Sequence, residues 1–168
     1  MFNKLFGSAS IIGASFFIGK SLTDKLKKRA DTLHSFHSSL VMLESEITFS
    51  SNSIDRALKN ISGTIKIPGF FEYVISQSRD NGIRKAWNSG ISRFKDSLCL
   101  TNEDAKILQT LSAELGITDK ANQIKNIHYV LTLIKAAEAD AEEKYRSLSG
   151  LYRNISMSAG LVFVILLM

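Results

Sequence analysis

The sequence predicts an all-α protein: a bundle of about six helices whose long first and last members run antiparallel into two terminal transmembrane helices. Three observations lead there. Apolar residues recur at helical spacing almost throughout, no segment alternates β-branched residues as a strand would, and each end of the 168-residue chain carries fifteen residues without a charge. With 45% hydrophobic residues, 22% charged ones, one proline and one cysteine, the chain is neither disordered, collagen-like nor disulfide-framed. A lone Cys99 fits a reducing compartment.

The first helix opens in an uncharged run, Leu5 to Gly19 (LFGSASIIGASFFIG), fenced by Lys4 and Lys20. It continues through Leu22, Leu26, Leu33, Phe36, Leu40, Leu43 and Ile47, a heptad-like seam whose single polar intruder is Arg29. Asn52 and Ser53 are placed to cap a second, short helix of Ile54, Ala57, Leu58 and Ile61, which Gly63 ends. Ile67-Pro68-Gly69 forces a turn, since proline cannot continue a helix and biases its predecessor toward extended geometry. A third helix follows from Gly69 to Asp80, and Asn81-Gly82 is the next turn. Ile83, Trp87, Gly90, Ile91, Phe94 and Leu98 make the apolar face of a fourth helix, with Trp87 and Gly90 marking tight packing. Thr101-Asn102-Glu103-Asp104 is a capping box opening a fifth helix through Leu115, closed by Gly116. The last helix begins near Thr118-Asp119 with a seam of Ile124, Ile127, Leu131, Ile134, Glu138, Ala141, Tyr145, Leu148 and Tyr152. It runs into a second uncharged segment, Asn154 to Met168 (NISMSAGLVFVILLM), fenced by Arg153.

Each uncharged run spans about 22 Å as a helix, short of a hydrocarbon core of about 30 Å, so both are marginal spans that snorkelling cations and local thinning must help. The first run lacks a small-x-small site after Gly13-Ala14-Ser15, which favours a retained anchor over a cleaved signal. The organisation expected is therefore a transmembrane helix at 1–20, a cytosolic helical domain at 21–152 and a second transmembrane helix at 153–168. Lys20, Lys25, Lys27, Lys28, Arg29 and Arg153 flank the spans and put the middle in the cytosol. Small residues four apart, Ala9 with Gly13 and Ser156 with Gly160, are the positions expected to let the two membrane helices approach closely.

Charge placement excludes specific nucleic-acid binding. Residues 1–29 and 153–168 carry a net +6, whereas residues 30–152 hold fourteen basic against fifteen acidic side chains. The cations bracket the apolar ends rather than lining an exposed groove.

Catalytic and metal chemistry find no motif: there is no phosphate-cradling GxxxxGK[ST], no HExxH and no cysteine pair. His34 and His37 have no cysteine or carboxylate at ligand spacing, so His34 reads as packing beside Leu33 and His37 as solvated. His128 reads as a core-edge residue and Cys99 as a small buried apolar one. No catalytic residue, cofactor or metal is expected. The acidic Glu44, Glu46, Glu138, Asp140, Glu142 and Glu143 are either a solvated helix face or a surface for a basic partner, and the Glu138–Glu143 run is also placed to face Lys25–Arg29.

Leu43-Glu44-Ser45-Glu46-Ile47, Ala86-Trp87, Leu115-Gly116-Ile117 with Asp119 and Gln123, Glu138-Ala139-Asp140-Ala141-Glu142, and the tail from Ala159-Gly160-Leu161 to Met168 occur in the order seen in the stage III sporulation protein AB family. The chain resembles that family over its whole length. One departure is Ile155-Ser156, where the family usually shows Leu-Gly. The resemblance implies a cytosolic domain similar to the F-type platform protein of type II secretion and type IV pilus machines. It also implies a non-enzymatic, membrane-anchored adaptor in the channel-like complex joining mother cell and forespore, on the mother-cell side of the engulfing bacterial membrane. The partners implied are a cytosolic secretion-type ATPase, the complex's membrane and ring components, and the lipid bilayer; the acidic residues above are the candidates for contacting the ATPase, or else serve only to keep the two long helices soluble. The rival expectation is a structural tether, or a regulator that dimerises through its heptads without touching an ATPase.

Overall fold

A computed structural model describes the backbone of residues 2–49, 54–116 and 119–167, with side chains from Gly13 onward except those of residues 163 and 166–168. Among the described residues there are six helices and no strand: α1 (Phe2–Phe49), α2 (Ile54–Thr64), α3 (Phe70–Asn81), α4 (Ile83–Phe94), α5 (Asn102–Leu111) and α6 (Lys120–Leu167). The expected caps Asn52 and Ser53, and Thr118 before α6, lie outside the described residues. The chain packs as two compact units, residues 31–139 and residues 1–30 with 140–168.

In the 31–139 unit the core is aromatic. Trp87 of α4 is fully buried among Phe36 of α1 and Phe70 and Phe71 of α3, in edge-on or tilted contacts with centroids 5.1–6.5 Å apart. Its indole N–H donates to the Leu108 carbonyl of α5 at 2.8 Å, so the one polar atom of this side chain is satisfied where water cannot reach. Gly90 lets α3 come close: a Cβ there would sit 3.0 Å from both Phe70 and Val74. Gly69 takes φ 72° at the start of α3, a left-handed conformation that glycine adopts without penalty after Pro68.

Leu33, Phe36, Leu40 and Leu43 of the first seam are buried, as are Ile127, Val130 and Ile134 of α6. Leu131, expected in the second seam, is only half-buried, and Val130 takes the core position beside it. In this unit α1 and α6 run antiparallel: His34 meets Glu138, Glu44 meets His128, and the Thr48 carbonyl accepts from Lys120 at 2.6 Å.

Two helices end earlier than their apolar spacing indicates. α4 stops at Phe94, and residues 95–99 form a turn closed by Leu100 N–H to the Lys95 carbonyl (3.0 Å) and Cys99 N–H to the Asp96 carbonyl (3.1 Å). That pair is a Schellman closure with Cys99 in the left-handed position, φ 57°. Cys99 is therefore a half-exposed turn residue rather than a buried one. Thr32 pins the turn to α1 by donating to the Leu98 carbonyl at 3.1 Å. α5 opens with the capping box expected: the Thr101 hydroxyl accepts from Asp104 N–H (3.1 Å), and Thr101 N–H donates to the Asp104 carboxylate (2.9 Å). It stops at Leu111, where the single Ser112 hydroxyl proton is shared between the Gln109 carbonyl (2.8 Å) and the Asn88 side-chain oxygen (3.0 Å), offering the chain an alternative to another helical turn.

The other unit is an antiparallel pair formed by the first part of α1 and the last part of α6. Gly19 sits against α6 so closely that a Cβ would lie 2.8 Å from the Ser156 hydroxyl and 3.2 Å from the Tyr152 carbonyl. Thr23 reaches the Ser149 carbonyl at 3.5 Å, and Arg29 pairs with Asp140 at 3.1 Å. Among the described residues no helix is long and apolar enough to cross a membrane. Each uncharged run stops at fifteen residues, and the side chains of residues 5–12 of the first run and of 163 and 166–168 of the second lie outside the described set.

Candidate functional site

Five of the six acidic residues singled out in the sequence have side-chain partners within the chain. In the 31–139 unit the Glu138 carboxylate lies between two histidines of α1, 2.6 Å from His34 Nδ1 and 3.9 Å from His37 Nδ1. Glu44 is 2.6 Å from His128 Nε2, and Glu46 accepts from the Asn60 amide at 3.0 Å. All three histidines of the chain thus face a carboxylate on the opposite long helix. The histidines exchange roles relative to expectation: the His34 side chain is 67% exposed, that of His37 only 29%, and His128 is an exposed partner of Glu44 rather than a core-edge residue. The carboxylate that sequence spacing lacked arrives from α6, 104 positions along the chain from His34. Among the described residues no three His, Cys, Asp or Glu side chains are placed to hold a metal ion.

In the unit of residues 1–30 and 140–168, Asp140 pairs with Arg29 at 3.1 Å and Lys144 at 3.0 Å. Hydrogen bonding from Lys144, reinforced by Arg29, outweighs desolvation and holds the Asp140 carboxyl below its ordinary value of 3.8. This explains the intruder in the heptad: Arg29 is nearly buried and its guanidinium reaches a carboxylate on α6. Glu142 pairs with Arg146 at 3.3 Å on the same helix. Glu143 alone of the six acidic residues has no side-chain partner among the described residues, and it is exposed.

The flanking cations Lys20, Lys25, Lys27, Lys28 and Arg153 are exposed on this unit. Of the small residues expected at a close helix approach, Ser156 lies against Gly19 and Gly160 is buried. Ala9 lies outside the described side chains, and Gly13 faces open space. Gly19, six residues on and so about 120° away around the helix, holds the close contact in its place. Large apolar side chains point outward here: Phe16, Phe17 (69% exposed), Ile18, Leu151, Ile155, Met157, Leu161, Val162 and Ile165 (71%).

The profile of the family described as stage III sporulation protein AB matches residues 4–168. The chain belongs to this family. The Stage III sporulation protein AB of Bacillus subtilis (strain 168) is 26% identical over 170 residues, covering 98% of this chain and 99% of that protein. A solved structure of Stage III sporulation protein AB (SpoIIIAB) superposes with a TM-score of 0.64 at 26% identity, covering 70% of this chain and 96% of that one. A role in sporulation follows from the family, and these relatives are named as sporulation proteins rather than enzymes.

Proposed function

We propose that the protein is a non-enzymatic adaptor, anchored in the mother-cell side of the membrane around the forespore, that links a cytosolic secretion-type ATPase to the membrane and ring components of the sporulation channel. The observation that carries the membrane half of this reading is the outward apolar surface of the unit formed by residues 1–30 and 140–168. Phe17, Ile18, Leu161 and Ile165 would face water at a cost of about 1.5–3 kcal/mol each relative to burial, and a lipid surface removes that cost. The exposed Lys20, Lys25, Lys27, Lys28 and Arg153 suit the cytosolic headgroup layer, where long cationic stems snorkel.

The pairing of the acidic residues changes how the ATPase half must be tested. Replacing Glu44, Glu138 or Glu142 would break intrachain pairs, so lost binding would report on the fold as much as on a surface. Glu143→Lys alters an exposed acid with no such pair. Pull-down of the ATPase by detergent-solubilised full-length chain is expected to succeed, and to weaken with Glu143→Lys if the acidic run is the contact. Failure of the wild type to capture the ATPase, with the other channel components present, would remove the ATPase link. A heptad-mediated dimer fits less well, because Leu33, Phe36, Leu40 and Leu43 are already buried within one chain.

A further inference from the structure

We infer that the pair of helix segments in the unit of residues 1–30 and 140–168 holds a binding site for the phosphate group of an anionic phospholipid. A cavity of about 350 Å³ opens between them. Phe16, Gly19, Lys20 and Thr23 line it from α1, Tyr145, Ser149 and Arg153 line it from α6, and Gly150, where a Cβ would meet nothing within 4 Å, leaves space beside them unfilled. The α1 positions recur at three- and four-residue intervals and the α6 positions every four, so each set lies on one helix face.

The chemistry of the lining is that of a phosphate cradle. An ammonium and a guanidinium come from opposite walls, and neither Lys20 nor Arg153 has an ion-pair partner among the described residues. Arginine matches phosphate oxygens with two parallel N–H donors, while lysine adds a mobile point charge. The Tyr145 and Ser149 hydroxyls supply neutral donors, and no carboxylate is part of the lining. Phe16 adds an apolar wall suited to the first carbons of an acyl chain or glycerol. Lys20 and Arg153 are also the charges that fence the two uncharged runs, the depth at which a headgroup phosphate lies. A soluble phosphate offers the same oxygens, so the source must be distinguished by experiment. The lipid assignment rests on the membrane reading above.

The test uses full-length protein in a neutral detergent, with bound ligand read by native mass spectrometry after addition of phosphatidylglycerol, phosphatidylcholine or inorganic phosphate. Two variants are compared with wild type: the double change Lys20→Gln with Arg153→Gln, and Gly150→Leu, which fills the cavity without touching charge. A Cβ at Gly150 meets nothing within 4 Å, so the second variant has room to fold. Wild type is expected to retain phosphatidylglycerol over phosphatidylcholine, and both variants to lose that retention by about tenfold. Equal retention by all three proteins overturns the site. Equal retention of the two lipids overturns anionic selection, and binding of inorganic phosphate without lipid, lost in both variants, overturns the lipid source. Flotation with phosphatidylcholine vesicles separates the two readings: proteins that float but show no lipid difference lose the site and keep the membrane anchor, whereas failure to float loses the anchor itself.

Discussion

The two units solve helix packing with opposite side chains. Residues 31–139 bury Trp87, Phe36, Phe70 and Phe71 and bring α3 and α4 together at Gly90, so large rings occupy the inside. The unit of residues 1–30 and 140–168 does the reverse. Its contact is made by Gly19, Ser156, Thr23, Ser149 and the Arg29–Asp140 pair, while Phe16, Phe17, Ile18, Ile155 and Ile165 face outward. Water drives large apolar groups together, so the first pattern is what an aqueous domain needs. Lipid gives no such drive, and helices in it associate through small residues, close backbones and hydrogen bonds. The difference is what the proposed membrane anchoring would require, with water around one unit and lipid around the other.

The sharpest way to break the comparison is to remove the large ring from the aromatic core of residues 31–139. Trp87→Ala is expected to destabilise the 31–139 unit by about 3–5 kcal/mol, seen as a fall in the denaturant midpoint by circular dichroism. A loss below about 1 kcal/mol would mean that the aromatic core carries little of the stability. In the other unit a large side chain should harm rather than help. Gly19→Leu forces carbon into Ser156 and the Tyr152 carbonyl and is expected to cost about 1–3 kcal/mol there by overpacking. The Trp87 emission spectrum should stay unchanged, and a shifted spectrum would show that the damage is not local.

A smaller effect sharpens the account of the 31–139 unit. Cys99→Gly relieves a left-handed backbone that costs a side chain about 1–2 kcal/mol, partly offset by glycine's greater unfolded entropy, so the net gain should be about 1 kcal/mol in thermal unfolding. The smallest effect is titratable. Because the Asp140 carboxyl is held below 3.8, its contribution is fully present above that value and is lost as pH falls through the lowered folded value. The difference in thermal midpoint between wild type and Asp140→Asn should therefore be constant from pH 7 to about 5 and shrink below about 4. A difference that grows in acid would contradict the Arg29 and Lys144 pairing.

Much of the fold is legible in the sequence because its signals are local. The Thr101–Asp104 capping box, the break at Pro68-Gly69 and the Asn81-Gly82 turn each lie within four residues, and all three mark helix boundaries in the structure. What escaped depends on segments far apart in sequence. Val130 rather than Leu131 is buried because α1 decides which side of α6 is the core, and a step of one residue turns a helix by about 100°. The partners of His34, His37 and His128 are set by the antiparallel register of two helices about a hundred positions apart, which no local spacing encodes. The Schellman closure was hidden because its left-handed position holds cysteine instead of the usual glycine. Arg29 was the one clue available, a cation where a heptad wants an apolar side chain, and its half-exposed partner Asp140 on α6 accounts for it.

The measurement that bears most directly on two solvents for two units is extraction of membranes holding the full-length chain with alkaline carbonate. The account predicts that wild type stays in the pellet, while a variant with serine at Phe17, Ile18, Leu161 and Ile165 moves to the supernatant with its Trp87 emission unchanged. Wild-type protein released into the supernatant would contradict it.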